Sequence, residues 1–405
     1  MDRNDNRRKV NTALLFCCVF MFSFSLSSSI YTTLAPFIIR HFGIDLIQSS
    51  WISVTGSIGN MFINLMLMVF GDRFDKHRIL VVMNTVLALS LLGIGYAPGM
   101  GLYLVANCIS GMSGYWVDNV TTAYVSDLYG EQRGRYIGIL YTLFAVASAL
   151  APSFNTLLLD TLGMGWQDSY RISGWFILIA TVCFVLITAI VGRPEAAVSG
   201  ERKEEGGGTV SLKAMLGNRN MVAMILSGVT TAFFGYFSGT LPVYFSYTDP
   251  QTYATALRNF IVTCNSTGAM ISRFLYVPLA PKLKPIKYLR FQSLFCTVCS
   301  LIALLINKPT VWMVLCFLSG ILSGSAYTMK TVLTCDEYPD NSSSANAATS
   351  FASGIAYMVA TPIINFVAEK VNFFIAMLIP LFFGLATYLI YRFVYQEHDP
   401  AAVEN

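Results

Sequence analysis

Long apolar runs recur along almost the whole chain and are separated by short polar segments. A run of about 20 apolar residues can cross the ~30 Å hydrocarbon core of a bilayer as a helix. Lipid admits only helices and closed barrels, and runs of this length are typical of helices. The pattern predicts twelve spanning helices, at residues 11–38, 48–70, 79–97, 100–128, 135–158, 170–192, 220–246, 255–279, 286–307, 309–335, 343–368 and 372–395.

The composition supports an all-α polytopic membrane protein. Of the 405 residues, 55% are hydrophobic and only 12% are charged, whereas soluble domains average about 25% charged residues. So few charges exclude a set of soluble domains, each of which would need a charged surface. The first apolar run is too long for the core of a signal peptide, so we expect a retained first helix.

The distribution of basic residues predicts the orientation. With the N-terminus inside, the cytoplasmic segments hold nineteen of the 26 Lys and Arg residues and the external loops hold five. This excess predicts that both termini are cytoplasmic. The net charge of +4 then reflects topology and does not indicate a nucleic-acid partner. Short loops favour the cell (inner) membrane of a prokaryote.

One long polar interruption, 193–219, divides the chain into two groups of six predicted spans. We therefore predict an N-terminal six-helix bundle at 1–192, a cytoplasmic linker at 193–219, and a C-terminal bundle with a short tail at 220–405. The Gly-rich centre of the linker predicts a flexible or weakly helical segment.

The two halves also match each other in sequence. A shift of 209 residues places Asp127 on Asp336 and Tyr129 on Tyr338, so DLY and DEY close corresponding spans. Because such matches fall on corresponding spans, we interpret them as an internal repeat. Parallel six-helix repeats place a substrate site at their interface near the bilayer midplane.

Two loop motifs point to a family. Asp72-Arg73 and the bases after it follow span two, although Met68 and Asp75 stand where the family signature has glycines. The segment DLYGEQRGRYIG, 127–138, follows span four. With these motifs the chain resembles the major facilitator superfamily over essentially its full length.

The resemblance implies a twelve-helix secondary transporter that works by alternating access, with spans one, four, seven and ten lining the cavity. Asn107 replaces the Arg that the family often carries in span four, which disfavours an ordinary drug/proton antiporter. The resemblance also implies a cytoplasmic latch between the halves, formed by Asp72, Arg73, Arg78 and Asp127.

Three charges lie deep inside predicted spans: Asp118, Arg273 and Lys330. Each costs about 2.5–3.5 kcal/mol at a helix centre, so each calls for an explanation. We expect Asp118 to carry a coupled proton, and Arg273 and Lys330 to bind negative groups of the solute. A structural ion pair, or a base that extends to the membrane surface, remains the alternative.

Aromatic side chains complete the predicted substrate site: Tyr31, Tyr115, Tyr236 and Tyr327. The chain has no phosphate-binding loop of the ATPase type, and its three histidines form no metal set. We therefore expect a monomeric transporter, not an enzyme, without metal or cofactor and driven by an ion gradient, with H⁺ as the expected ion.

Three functions fit the sequence. The favoured one is proton-coupled transport of a small anionic or zwitterionic organic solute, because two buried bases stand against one buried acid. The alternative is a multidrug/proton antiporter that exports lipophilic cations, with Asp118 as their counter-ion. A second alternative is a non-transporting solute receptor on the same fold.

Overall fold

The computed structural model of the protein describes residues 3–70, 75–129, 133–194, 212–279, 282–338 and 342–397, and these residues form helices and short connections without a strand. The helices are α1 (Arg3–Phe42), α2 (Leu46–Phe70), α3 (Lys76–Gly95), α4 (Met100–Tyr129), α5 (Arg133–Thr156), α6 (Trp166–Val191), α7 (Leu212–Gly217), α8 (Arg219–Thr248), α9 (Thr255–Leu279), α10 (Pro285–Ile306), α11 (Pro309–Ser323), α12 (Ala326–Glu337), α13 (Ser342–Lys370) and α14 (Phe373–Leu389).

The helices follow the predicted spans closely. In the described part of the chain, nine helical segments are long and apolar enough to cross a membrane. The three other predicted spans correspond to α2, α4 and α9, which have 25, 30 and 25 residues. At 1.5 Å per residue these helices are also long enough to cross the hydrocarbon core. Short π-helical turns follow α5 and α14, at Leu157–Thr161 and Ile390–Val394.

Span ten was predicted over 309–335, and the structure has one membrane-spanning segment there, Pro309–Thr334. The predicted single helix is interrupted inside this segment, because α11 ends at Ser323 and α12 begins at Ala326, with a turn at Gly324 and Ser325. Hydropathy does not detect the turn, because the apolar run continues through it.

The described residues fall into two compact units, Met1–Glu205 with Leu241–Ser266, and Gly206–Thr240 with Thr267–Asn405. In the first unit, aromatic residues of α1 and α6 form part of a large apolar core, where the Phe20 and Phe184 rings meet edge to face. In the second unit, several smaller apolar clusters pack between the helices. The predicted division at 193–219 remains a prediction.

Close helix packing confirms the 209-residue repeat. A Cβ atom added to Gly59 of α2 would overlap the carbonyl oxygen of Cys108 and lie 2.8 Å from the amide nitrogen of Met112. In the second half, a Cβ on Gly268 of α9 would overlap the carbonyl of Phe317 and lie 2.9 Å from the nitrogen of Ile321. All three positions are related by 209 residues, so the halves share one helix contact as well as a sequence pattern.

Candidate functional site

The buried base of span ten lies among α8, α12 and α13. Lys330 of α12 is only 9% exposed. A Cβ on Gly228 of α8 would lie 2.9 Å from Lys330 Nζ, 2.7 Å from Ser353 Oγ and 3.3 Å from the Thr349 carbonyl oxygen. The ammonium group therefore occupies space that a larger residue at position 228 would fill.

The charge of Lys330 has no acidic partner in the described part of the chain. The ion pairs seen among those residues all join a carboxylate to a basic side chain other than Lys330. The polar atoms placed beside the ammonium by Gly228 are a hydroxyl and a carbonyl, both from α13. Such neighbours can hydrogen-bond an ammonium group, but they do not neutralise its charge.

Two of the predicted aromatic residues belong to the same unit as Lys330. The hydroxyl of Tyr236 on α8 donates to the carbonyl of Tyr357 at 3.1 Å, and the two ring centroids are 5.6 Å apart. Tyr236 lies eight residues after Gly228, or about 12 Å along α8. Tyr327 precedes Lys330 by three residues on α12 but is 68% exposed. Tyr327 and Lys330, on the same short helix, therefore differ strongly in burial.

The predicted proton carrier lies in the first unit. Asp118 is half-buried on α4. Tyr115, three residues earlier, is 42% exposed, and its ring meets that of Phe24 at 5.8 Å. Tyr31 is half-buried on α1. The structure thus places these three predicted residues on α1 and α4, whereas Lys330, Arg273, Tyr236 and Tyr327 belong to the second unit, and the expected shared site remains a prediction.

Arg273 contacts the turn in span ten. Its Nε donates to the carbonyl oxygen of Gly324 at 3.3 Å, and its side chain is half-buried. A Cβ on Gly324 would overlap the carbonyl oxygen of Ala269, one turn before Arg273 on α9. The close approach of α9 to the turn therefore brings the guanidinium group to a backbone carbonyl.

The predicted latch residues have different partners from one another. Asp127 accepts a hydrogen bond from Lys76 at 2.6 Å. Arg78 lies 3.3 Å from Asp75, which also accepts from Arg193 at 3.0 Å. Arg78 and Asp127 therefore belong to separate ion pairs.

Asp72 and Arg73, the other two latch residues, lie outside the described residues. The sequence did not identify Asp75 as the partner of Arg78, or Lys76 as the partner of Asp127. Asp75 directly precedes α3 and Lys76 begins it, both within the family motif. The pattern of charges alone did not show which acid faces which base.

Asn107 has a structural role. Its amide nitrogen donates to the Ile52 carbonyl at 2.6 Å and to Thr55 Oγ1 at 3.2 Å. These bonds join α4 to α2. The residue at the family's Arg position thus connects two helices of the first unit.

Comparison with known proteins identifies the family. The model of the Major Facilitator Superfamily matches residues 15–361 and 250–404. The chain belongs to the Major Facilitator Superfamily. Two solved structures share the fold over nearly the whole chain, and together with the family match they confirm the predicted all-α polytopic membrane fold.

The first of these structures is an inward-facing, unoccupied bacterial homolog of the human lysosomal transporter Spinster, with a TM-score of 0.72 and 14% identity, covering 96% of this chain and 97% of that one. The second is a mutant of the nucleoside transporter NupG, with a TM-score of 0.73 and 15% identity, covering 95% of this chain and 100% of that one. Identities this low show the fold alone.

Curated relatives match shorter stretches. The MFS-type transporter ppz2 of Metarhizium majus is 24% identical over 159 residues, which are 39% of this chain and 27% of that protein. An uncharacterized MFS-type transporter of Mycobacterium tuberculosis is 23% identical over 155 residues, 38% of this chain and 27% of that protein. The chain thus spans about a quarter of the length of these relatives.

Proposed function

We propose that this protein is a secondary active transporter that moves a small anionic or zwitterionic organic solute by alternating access, coupled to protons. The observation that carries the proposal is the buried ammonium group of Lys330, which lies beside Gly228 and Ser353 without a carboxylate partner in the described part of the chain.

A buried charge without a counter-ion is costly to maintain. A carboxylate or phosphate group of a solute would supply the opposite charge and form a charge-assisted hydrogen bond with the ammonium. The Ser353 hydroxyl, close to the same point in space, donates to the Thr349 carbonyl at 2.8 Å, so it would have to exchange that bond to donate to the anion. An ionisable residue inside a membrane span is costly and marks a functional site more often than a structural one, which favours a ligand role for Lys330.

Proton coupling is assigned to Asp118 of α4, the acid that lies deep in a span. We further propose a multi-pass monomer in the cell (inner) membrane with both termini cytoplasmic. No metal or cofactor takes part in this scheme.

One observation favours a second candidate, a multidrug/proton antiporter that exports lipophilic cations. Tyr115 is 42% exposed one helical turn from Asp118, and an aromatic face beside a carboxylate suits a lipophilic cation. A receptor that binds solute without transport is the third candidate. Saturable binding without flux would identify it.

Ligand-induced thermal stabilisation of the purified protein tests the proposal. The panel holds small carboxylates, phosphorylated solutes, amino acids and lipophilic cations, tested on the parent, Lys330→Met and Asp118→Asn. Lys308→Met, a change in an exposed loop, is the matched control. Saturable stabilisation grows as RT ln(1 + [L]/Kd), so weak ligands register at high concentration.

We expect anions to stabilise the parent and the Lys308→Met control but not Lys330→Met. Stabilisation by lipophilic cations alone, erased in Asp118→Asn and kept in Lys330→Met, would overturn the anion proposal in favour of the exporter.

A further inference from the structure

The turn in span ten frees backbone carbonyls that would accept hydrogen bonds from backbone amides in a continuous helix. In an unbroken helix, the carbonyl of Leu322 would accept from the amide of residue 326, and that of Gly324 from residue 328. Across the turn, backbone bonds run from the Gly324 amide to Gly320 at 3.0 Å and from the Met329 amide to Ser325 at 3.1 Å. Side chains of α9 and α10 reach the carbonyls of Leu322 and Gly324.

A chain of hydroxyl groups leads to the first of these carbonyls. The Tyr288 hydroxyl of α10 donates to the Leu322 carbonyl at 2.7 Å, and Ser325 Oγ donates to Tyr288 at 3.3 Å. Ser272 Oγ of α9 lies 3.1 Å from Ser325 Oγ. With Ser272 as the donor, the hydroxyls of Ser325 and Tyr288 each both donate and accept, and such chains strengthen their members.

The second carbonyl is held by Arg273, whose Nε donates to Gly324. Ser272 and Ser325 are 5% and 3% exposed, so water cannot readily replace their bonds. Breaking a buried hydrogen bond leaves a polar group without a partner, which costs more than the bond itself contributes. The turn is therefore held in place by two neighbouring helices.

The position of Lys330 depends on this turn. Lys330 lies five residues after Ser325, or about 8 Å along the short helix α12, and Met329 beside it is fully buried. A rotation of α12 at its first residue would move the ammonium away from Gly228 and Ser353. The orientation set at the turn is thus carried directly to the base.

We propose that Tyr288, Ser272 and Arg273 are positioning residues that hold the turn in span ten and thereby fix Lys330 between α8 and α13. Arg273 then acts through the backbone of span ten and not through the solute. The inference rests on hydrogen bonds within the second unit. It stands even if Lys330 binds no solute, so its failure is separable from that of the proposed function.

Hydrogen exchange of the purified full-length protein tests the first half of the inference. In Tyr288→Phe, the amides of residues 324–330 should exchange about three to ten times faster, as expected for the loss of one net hydrogen bond. Tyr276→Phe on α9 is the control, because no hydrogen bond of its hydroxyl is seen among the described residues. Exchange in α13 should stay at the parent level in both variants.

Two further variants distinguish a local effect at the turn from a general loss of stability. Ser325→Ala combined with Tyr288→Phe should accelerate exchange by less than the product of the two single effects, because each single change removes the Ser325–Tyr288 hydrogen bond. Arg273→Lys keeps the positive charge but changes the donor geometry at Gly324. Faster exchange in this variant would report the lost hydrogen bond and not the lost charge.

The second half is tested by the reactivity of Lys330. Acetic anhydride acetylates exposed amines, and mass spectrometry compares Lys330 with the exposed Lys308 in the same sample. We expect several-fold faster modification of Lys330 in Tyr288→Phe and no change in Tyr276→Phe. Unchanged exchange at 324–330, or unchanged Lys330 reactivity with faster exchange, would overturn the proposal.

Discussion

The two halves of the molecule pack by the same contact but differ where their charges lie. Gly59 approaches Cys108 in the first half as Gly268 approaches Phe317 in the second. Yet α4 runs unbroken from Met100 to Tyr129, whereas its counterpart turns after Ser323. The repeat therefore retained the packing of these helices while the local backbone diverged.

The divergence falls close to the two charges inside the spans, Asp118 and Lys330. Under the 209-residue shift, Gly324 and Ser325 correspond to Tyr115 and Trp116 of α4. The first half thus carries two bulky aromatic residues and then Asp118 on a continuous helix. The second carries a small-residue turn and then Lys330. The comparison indicates that helix packing is the shared part of the repeat and that the chemistry is particular to each half.

Adding a side chain at the helix contact that both halves share should destabilise the fold more than any other change proposed here. Gly59→Ala and Gly268→Ala each push a methyl group onto a backbone carbonyl, and we expect each to lower the free energy of unfolding by about 1–3 kcal/mol. Thermal unfolding in detergent measures both. Gly138→Ala on α5, where a Cβ would meet nothing within 4 Å, should be neutral or stabilising, because Ala favours helix. A large loss of stability at only one of the two glycines would show that the two halves do not depend equally on this packing contact.

A smaller difference is expected between the helix ends that are predicted to be cytoplasmic. In the first unit, Lys76 and Asp127 form an ion pair whose side chains are 25% and 44% exposed. In the second, Glu337 accepts from the Asn220 amide at 2.6 Å, and Asn220 also donates to the Gln396 carbonyl at 3.0 Å. One end thus relies on an ion pair between two partly exposed side chains, and the other on hydrogen bonds from the buried side chain of Asn220.

We therefore expect Glu337→Gln to cost about 1 kcal/mol of unfolding free energy, because Gln still accepts from Asn220 but the charge-assisted bond becomes a neutral one of about half the strength. Asp127→Asn should cost under about 1 kcal/mol, and this cost should disappear in about 1 M salt. Chemical denaturation at low and high salt compares the variants. Equal losses of stability with equal salt dependence would show that the two helix ends are not held by different kinds of interaction.

The smallest effect concerns the loops that join the first two helices of each half. Asp45 accepts from the Gln48 amide at 2.6 Å, and Asp249 accepts from the Thr252 amide at 3.1 Å. The Thr252 hydroxyl and amide hold the pKa of Asp249 below its usual value of 3.8. Because this pKa is lowered in the folded state, the stabilisation is present above pH 3.8 and is lost as the pH falls further.

Amide exchange at residues 250–253, compared between Asp249→Asn and the parent at each pH, checks this sign. Exchange in the variant should be faster than in the parent at pH 7, and the ratio should approach one well below pH 3.8. A ratio that does not depend on pH would show that the carboxylate does not hold this loop.

The sequence was sufficient for the spans because membrane solvation imposes a coarse pattern. Predicted 255–279 coincides with α9, and the burial of Lys330 follows from its depth inside an apolar run. The repeat was visible because a constant shift relates loops and packing glycines alike. These features depend on position along the chain more than on the details of contacts.

Features that depend on contacts between distant helices could not be predicted in this way. The turn at Gly324 is made by α9 and α10, through Arg273 and Tyr288, and leaves no gap in the hydropathy. The choice of Lys76 and not Arg78 as the partner of Asp127 depends on side-chain directions that charge patterning does not contain.

The proposed role of Lys330 is to bind the negative group of a transported solute. Uptake into proteoliposomes under an imposed proton gradient tests this role, with an anion selected by the stabilisation panel as the labelled probe. We expect concentrative uptake by the parent and by Lys308→Met, and none by a folded Lys330→Met protein. Undiminished uptake by Lys330→Met would show that Lys330 does not bind the solute.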